Sequence, residues 1–352
     1  MALPFLVYRT GLLPAFLVML VAYIVTAVLH IMVAELSIRT DNASELLGIF
    51  TKHLFWNQWA RSAFYALMAI VLSCNLAAYI TGAGEILSGL LGIGILAGEL
   101  LFFAFAAIIV FLGLKRVAIN ETGALGIMVG FLLALSIKSA LLEIHQPFPQ
   151  AAWEPSKLLA VYGMAMFSLS SLFAVPQAAC GLAGSKGKLR LAVMLGLFIN
   201  LLVMALIALC TLACSDPVSE VAIVGWAEAL GGTMRIFGSM FIALSMLGTF
   251  WSISMQLSDM TKEYFKASRF SAWLAGVAPA LVLALLPVSG FLGLMQIAGG
   301  ATAVVVACMA VPAYKNAVAG SDGPLLGRHA NSSLLRGIIA AMYLLMAVAS
   351  FF

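Results

Sequence analysis

The stretch Phe167-Ser168-Leu169-Ser170-Ser171-Leu172-Phe173-Ala174-Val175-Pro176 interrupts an apolar run, 158–178, long enough to cross a hydrocarbon core of about 30 Å as one helix. It places three hydroxyls at mid-depth and then a proline, which has no N–H and clashes with the preceding turn. Backbone carbonyls around residues 172 and 173 are thereby freed. At that depth irregular backbone is tolerated where it lines a cavity, and free carbonyls and half-helix ends there can hold a solute's charged groups. The alternative is a kinked helix whose serines bond back to their own carbonyls. The start of the chain favours the first reading: Ala2-Leu3-Pro4 echoes Ala174-Val175-Pro176, and each is followed by a short connection and a full apolar run.

The rest of the chain is equally apolar. Of its 352 residues 64% are hydrophobic and 9% charged, against roughly 25% charged in soluble domains. The runs do not alternate with period two, so they read as helices and not as barrel strands. Ten crossings are expected at 12–34, 61–83, 91–114, 121–142, 158–178, 190–213, 232–257, 271–288, 291–313 and 334–352. Segment 42–60, with Trp56 and Trp59 among apolar and charged residues, reads as a helix lying along the interface. With the 35–60 connection placed in the cytoplasm, fourteen of the 18 Lys and Arg fall inside. Arg9, Lys157 and Arg235 fall outside and Lys138 lies within a span. This positive-inside bias fixes the orientation and puts the C-terminus on the outer side of a prokaryotic plasma membrane.

The two Ala-x-Pro segments run in opposite directions, the pattern of an inverted five-plus-five repeat with broken first and sixth helices. The expected fold class is all-α: a polytopic transmembrane bundle of about 11 spans forming one domain, 1–352. Its repeats are 1–142 and 158–314, with an extra span at 334–352. The eight residues before Arg9 make only about 12 Å of helix, so either the first helix is only a half or, the favoured expectation, an N-terminal segment precedes Met1.

Several polar residues inside spans are candidates. Asn75 and Tyr79 are four apart and share a helix face, as a strip facing a cavity requires; an interfacial tyrosine is the other reading of Tyr79. Ser245, Thr249 and Ser252 recur at helical spacing, facing either the bundle or a packing seam. Lys138 is either a buried relay or, four residues from its span's outer end, a snorkelling side chain. Glu35 reads as a gate or interface ion, and Asp259 as half of a surface ion pair. Gly94 and Gly98, and Gly299-Gly300, read as points of close helix approach. Membrane-embedded catalysis would need clustered His, Asp or Glu at mid-depth. His30 is the one deep histidine and has no ligand-type neighbour at i+4. No metal site, cofactor or enzyme activity is expected, and the five cysteines form no CxxC pair.

These features resemble the amino acid–polyamine–organocation superfamily, with its leucine-transporter-type fold, and within it the aromatic and hydroxy amino acid (tryptophan/tyrosine) permeases. The stretches that carry the resemblance are the opening Ala2-Leu3-Pro4-Phe5, Ala78 to Glu85, Phe167 to Pro176, and Leu247-Gly248 followed by Asp259. The resemblance implies that Ala2, Leu3 and Pro4 and the sixth-helix break hold the backbone of an amino acid. Phe167-Ser168-Leu169-Ser170, with Ser171, resembles the substrate-cradling run; Tyr79 matches a third-helix tyrosine and Phe173 a gating aromatic. Two departures stand out. The glycine-rich segment expected before Ala2 is absent, and the paired eighth-helix hydroxyls of sodium-coupled relatives are reduced to Ser245 beside Leu244. Lys138 resembles the fifth-helix lysine of proton-coupled or sodium-independent relatives.

The expected function is therefore a secondary permease for amino acids, coupled to H+ in preference to Na+, with the lipid bilayer as its other partner and no nucleic acid. A non-transporting or ion-conducting subunit of a larger membrane complex is the alternative.

Overall fold

A computed structural model describes residues 3–41, 46–54, 57–141, 148–172, 174–182, 184–215, 218, 222–286, 291–318 and 323–351, with the side chains of 114–122 and 291–292 outside that set. The described residues form helices and connections, with no strand among them. In order these are α1 (Leu3–Thr10), α2 (Leu12–Ile38), α3 (Leu46–Leu54), α4 (Gln58–Leu91), α5 (Ile95–Leu112), α6 (Leu114–Ala140), α7 (Pro155–Ser168), α8 (Ala174–Gly181), α9 (Lys186–Cys214), α10 (Ala222–Ala229), α11 (Gly232–Phe265), α12 (Arg269–Leu285) and α13 (Phe291–Val305). A π-turn, Val306–Ala310, then leads into α14 (Val311–Val318), and α15 (Ser333–Ala349) closes the chain.

Seven helical segments are long and apolar enough to cross a bilayer. Two further apolar helices, α12 and α15, have 17 residues each, about 25 Å at 1.5 Å per residue. Together with the broken pair α7 and α8 they make an integral membrane protein. The helix lengths run through one series twice. From α1 to α5 they are 8, 27, 9, 34 and 18 residues. From α8 to α12 they are 8, 29, 8, 34 and 17. Pro4 and Pro176 fall in the first turns of the paired eight-residue helices, where a missing N–H costs no hydrogen bond.

Several expected boundaries are corrected. Helix α4 does not stop at Ala83 but runs through Gly82-Ala83-Gly84-Glu85 to Leu91, and the Ser88 hydroxyl donates to the Ile93 carbonyl at 2.6 Å beyond its end. Of the segment 42–60, α3 covers 46–54, and the connection 215–230 contains α10, whose eight residues are too few for periodicity to reveal.

The chain divides into two compact units, each drawing on both halves of the sequence. The first comprises Met1–Arg9, Met68–Gln150 and Leu206–Ala298. Here α11 packs on α5, α6, α10 and α12. Helices α4 and α5 approach so closely that a Cβ on Gly98 would lie 2.5 Å from the Gly84 carbonyl oxygen, whereas one on Gly94 would meet nothing. The expected Gly94/Gly98 pair is thus corrected to Gly84/Gly98. The buried Trp226 of α10 donates its indole N–H to Ser139 Oγ at 2.7 Å, pinning α10 to α6. Phe131 and Phe237 stack at 5.1 Å between α6 and α11. Asp259 forms no ion pair among the described residues; it lines a pocket of about 220 Å³ with Lys262, Arg269 and Trp273.

The second unit comprises Thr10–Leu67, Ala151–Ala205 and Gly299–Phe352. Helix α2 packs against α7, α8, α14 and α15. Gly163 of α7 lets α15 approach, since a Cβ there would stand 3.0 Å from the Ala349 backbone. Leu191, Leu195, Phe198, Ile199 and Leu202 of α9 form an exposed stripe at helical spacing, the face such a helix turns to acyl chains. Near the C-terminal end of α2 the carboxylate of Glu35 is fully buried. Arg39 Nε donates to it at 2.5 Å and the Leu325 amide at 2.6 Å. Glu35 thus anchors the segment before α15.

Candidate functional site

In the second unit the sixth-span expectation resolves into a real break. Helix α7 stops at Ser168 and α8 begins at Ala174. The break opens upstream of Pro176, which occupies the first turn of α8, so the proline is not what ends α7. Side chains from neighbouring helices take over the backbone groups instead. Asn200 of α9 donates Nδ2–H to the Ser168 carbonyl at 3.0 Å. The Ser171 N–H donates to His30 Nε2 of α2 at 2.8 Å. Tight turns complete the segment: Ser170 N–H donates to the Phe167 carbonyl at 3.0 Å, and Ala174 N–H to the Ser171 carbonyl at 2.9 Å.

These partners fix the state of the imidazole. His30 is fully buried, and its Nδ1 lies 2.7 Å from the Thr26 carbonyl, which can only accept. Nδ1 therefore carries the proton, and Nε2 presents a lone pair to the Ser171 amide. The ring is neutral, in one tautomer. Beyond it, Ser168, Ser170 and Ser171 are half-buried, and their hydroxyls make no hydrogen bond among the described residues. They do not bond back to the helix. Phe167 is seated on α13, where a Cβ on Gly299 would come within 3.2 Å of its ring.

In the first unit, α4 and α11 bring other candidates together. The Tyr79 hydroxyl sits against that of Thr249, whose own proton goes to the Ser245 carbonyl at 2.9 Å. One turn from Tyr79, the amide oxygen of Asn75 is buried without a hydrogen-bond partner among the described residues. Ser254, Ser258 and Thr261 further along α11 all bond back to carbonyls four residues earlier, and so serve packing. Leu3 and Pro4 are buried in α1. Lys138 is exposed in the last turn of α6, a placement from which a lysine can snorkel. Ala2 and Phe173 lie outside the described residues. Sequence reasoning missed His30 and Asn200 as site residues. The signal for His30 was present, as the one deep histidine, but nothing in the sequence paired it with Ser171.

The described residues include no group of three His, Cys, Asp or Glu able to hold a metal. Within the second unit the break offers serine hydroxyls and a neutral imidazole; within the first, α4 and α11 offer the Asn75 amide oxygen and the Tyr79 and Thr249 hydroxyls.

The fold is that of the leucine-transporter type. Among solved structures the chain is similar to Mhp1, a nucleobase-cation-symport-1 family transporter, in a closed conformation with bromovinylhydantoin bound. The TM-score is 0.67 at 9% identity, over 99% of this chain and 86% of that one. It is also similar to an Eremococcus coleocola manganese transporter in complex with an aromatic bis-isothiourea compound, with TM-score 0.65 and 12% identity over 99% and 84%. A mutant of the same transporter gives 0.65 and 13% over 99% and 81%. No family profile and no curated protein matches the chain.

Proposed function

We propose that this chain is a secondary carrier for amino acids, aromatic ones among them, driven by protons in preference to sodium and working by alternating access. The observation that carries the reading is the break between α7 and α8, where three serine hydroxyls make no hydrogen bond among the described residues, beside backbone held open by His30 and Asn200. Such a break can bind a carboxylate and an ammonium group while costing little to open and close. The structures it is similar to are transporters of other solutes, a nucleobase-cation symporter and a manganese transporter. A fold shared across such solutes leaves the choice of substrate to the residues of the break. Here these are hydroxyls and aromatic or aliphatic walls, with no fixed charge, which suits a net-neutral amino acid. The reduced eighth-helix hydroxyl set, Ser245 beside Leu244, supports protons over sodium. Repeats 1–142 and 158–314 with the added span 334–352, in a prokaryotic inner membrane with the C-terminus outside, complete the proposal.

The test is uptake of a radiolabelled amino acid mixture into proteoliposomes, with an inward proton or sodium gradient. Uptake driven by the proton gradient and abolished by a protonophore is expected. Folded, inserted protein that takes up no amino acid under either gradient would overturn the reading and favour a subunit of a larger complex.

A further inference from the structure

We infer that His30 is the proton-binding site of the carrier, and that its protonation releases the Ser171 amide for substrate. This rests on the carrier function proposed above and names its coupling group. With Nδ1–H committed to the Thr26 carbonyl at 2.7 Å, an incoming proton can go only to Nε2. There it meets the Ser171 N–H, 2.8 Å away. Two donors cannot face each other at that distance, so protonation breaks the bond and frees the amide. The imidazolium so formed is fully buried and requires a counter-charge.

The described residues do not supply one. Glu35, the acid farther along α2, is already bound to Arg39 and the Leu325 amide. On the elements packed against α2, the titratable groups are Lys157 and Tyr162 of α7, Cys180 of α8, Tyr314 and Lys315 of α14, and Arg336 and Tyr343 of α15. None is a carboxylate, and none is bonded to the ring. Lys157 is paired with Glu154 at 2.8 Å, and the Tyr162 hydroxyl donates to the Met342 carbonyl at 2.9 Å. The missing anion is the substrate's own carboxylate, arriving beside three free serine hydroxyls and the released Ser171 N–H. Proton and carboxylate each make the other's binding more favourable by the same factor, which is the thermodynamic requirement for symport. Without substrate the ring stays neutral and hydrogen-bonded, so protons do not cross alone.

The test is H30Q in proteoliposomes, because glutamine keeps an acceptor for the Ser171 amide and cannot titrate. Wild-type affinity is expected to rise as pH falls, by up to about tenfold per pH unit for a single coupled proton. H30Q is expected to bind independently of pH and to catalyse exchange but not gradient-driven accumulation. No amino acid uptake by the wild type would defeat the carrier reading. Proton-driven accumulation by H30Q equal to wild type would defeat this inference alone. Should H30Q fail to insert, the wild type decides. On addition of amino acid, ¹⁵N-histidine spectra should show one neutral Nδ1–H ring becoming imidazolium, and no change in any of the four histidines overturns the proposal.

Discussion

The buried carboxylate of Glu35 accepts the Leu325 amide proton at 2.6 Å across 290 residues of sequence, while Arg39, one turn along α2, donates to its other oxygen at 2.5 Å. One acid thus holds a helix end and a distant connection together. Glu35→Ala leaves the guanidinium without its counter-ion and the amide without an acceptor, and should cost about 3–5 kcal/mol. Glu35→Gln keeps an acceptor for the amide and should cost less. Thermal unfolding in detergent, comparing the two, reads the difference; equal stabilities would mean that the carboxylate contributes nothing beyond packing.

Ser170→Val removes a free hydroxyl from the break without altering the backbone bonds of the segment. Insertion and melting temperature should be unchanged, since that hydroxyl has no partner to lose among the described residues. Amino acid uptake should fall at least tenfold, in line with the loss of one or two substrate hydrogen bonds of about 1.5 kcal/mol each. Unchanged uptake would take Ser170 out of the site.

The Gly84/Gly98 contact is a packing constraint that can be tested with one methyl group. Gly98→Ala puts a Cβ 2.5 Å from the Gly84 carbonyl oxygen and should destabilise by about 1–3 kcal/mol through forced separation of α4 and α5. Gly130→Ala in α6, where a Cβ meets nothing within 4 Å, should instead stabilise by about 0.5–1 kcal/mol. Chemical unfolding of both variants checks the opposite signs.

His53 of α3 carries a pH dependence outside the membrane. The Thr40 hydroxyl gives its proton to the Leu36 carbonyl at 2.8 Å, so His53 Nε2–H donates to Thr40 Oγ1 at 2.8 Å. Burial, then the charges of Lys52 and Arg39, push the His53 pKa below its ordinary 6.5. The unfolded segment therefore takes a proton first, and the docking of α3 is fully stabilised above about pH 6.5 and weakens as pH falls toward the lowered value. Amide exchange in 46–54 should accelerate on acidification in the wild type, and its pH response should be blunted in H53Q.

What could be read without coordinates follows from the bilayer. Runs of apolar residues near 20 long, an uneven distribution of Lys and Arg among the connections, and an Ala-x-Pro echo are properties of the linear chain, because lipid demands that each span satisfy its own backbone. The break at Ser168–Leu172 was legible for the same reason: hydroxyls and a proline are costly at mid-depth unless they face a cavity. Its boundary was not legible. The proline alone predicts a break around residues 172 and 173, but α7 ends at Ser168.

The sequence alone determined that this is a multi-span helical membrane protein and which span is interrupted, since each depends on local composition and on the energetics of the membrane. Only the tertiary structure decided what holds the interruption open. His30 and Ser171 are 141 residues apart, Ser168 and Asn200 are 32 apart, and the hydrogen bonds between them arise from helix packing, which no local pattern encodes. It likewise placed His30 beside the break and Lys138 at the exposed end of α6. Depth along a span can be counted from the sequence, but the direction a side chain points within the bundle depends on the helices that surround it.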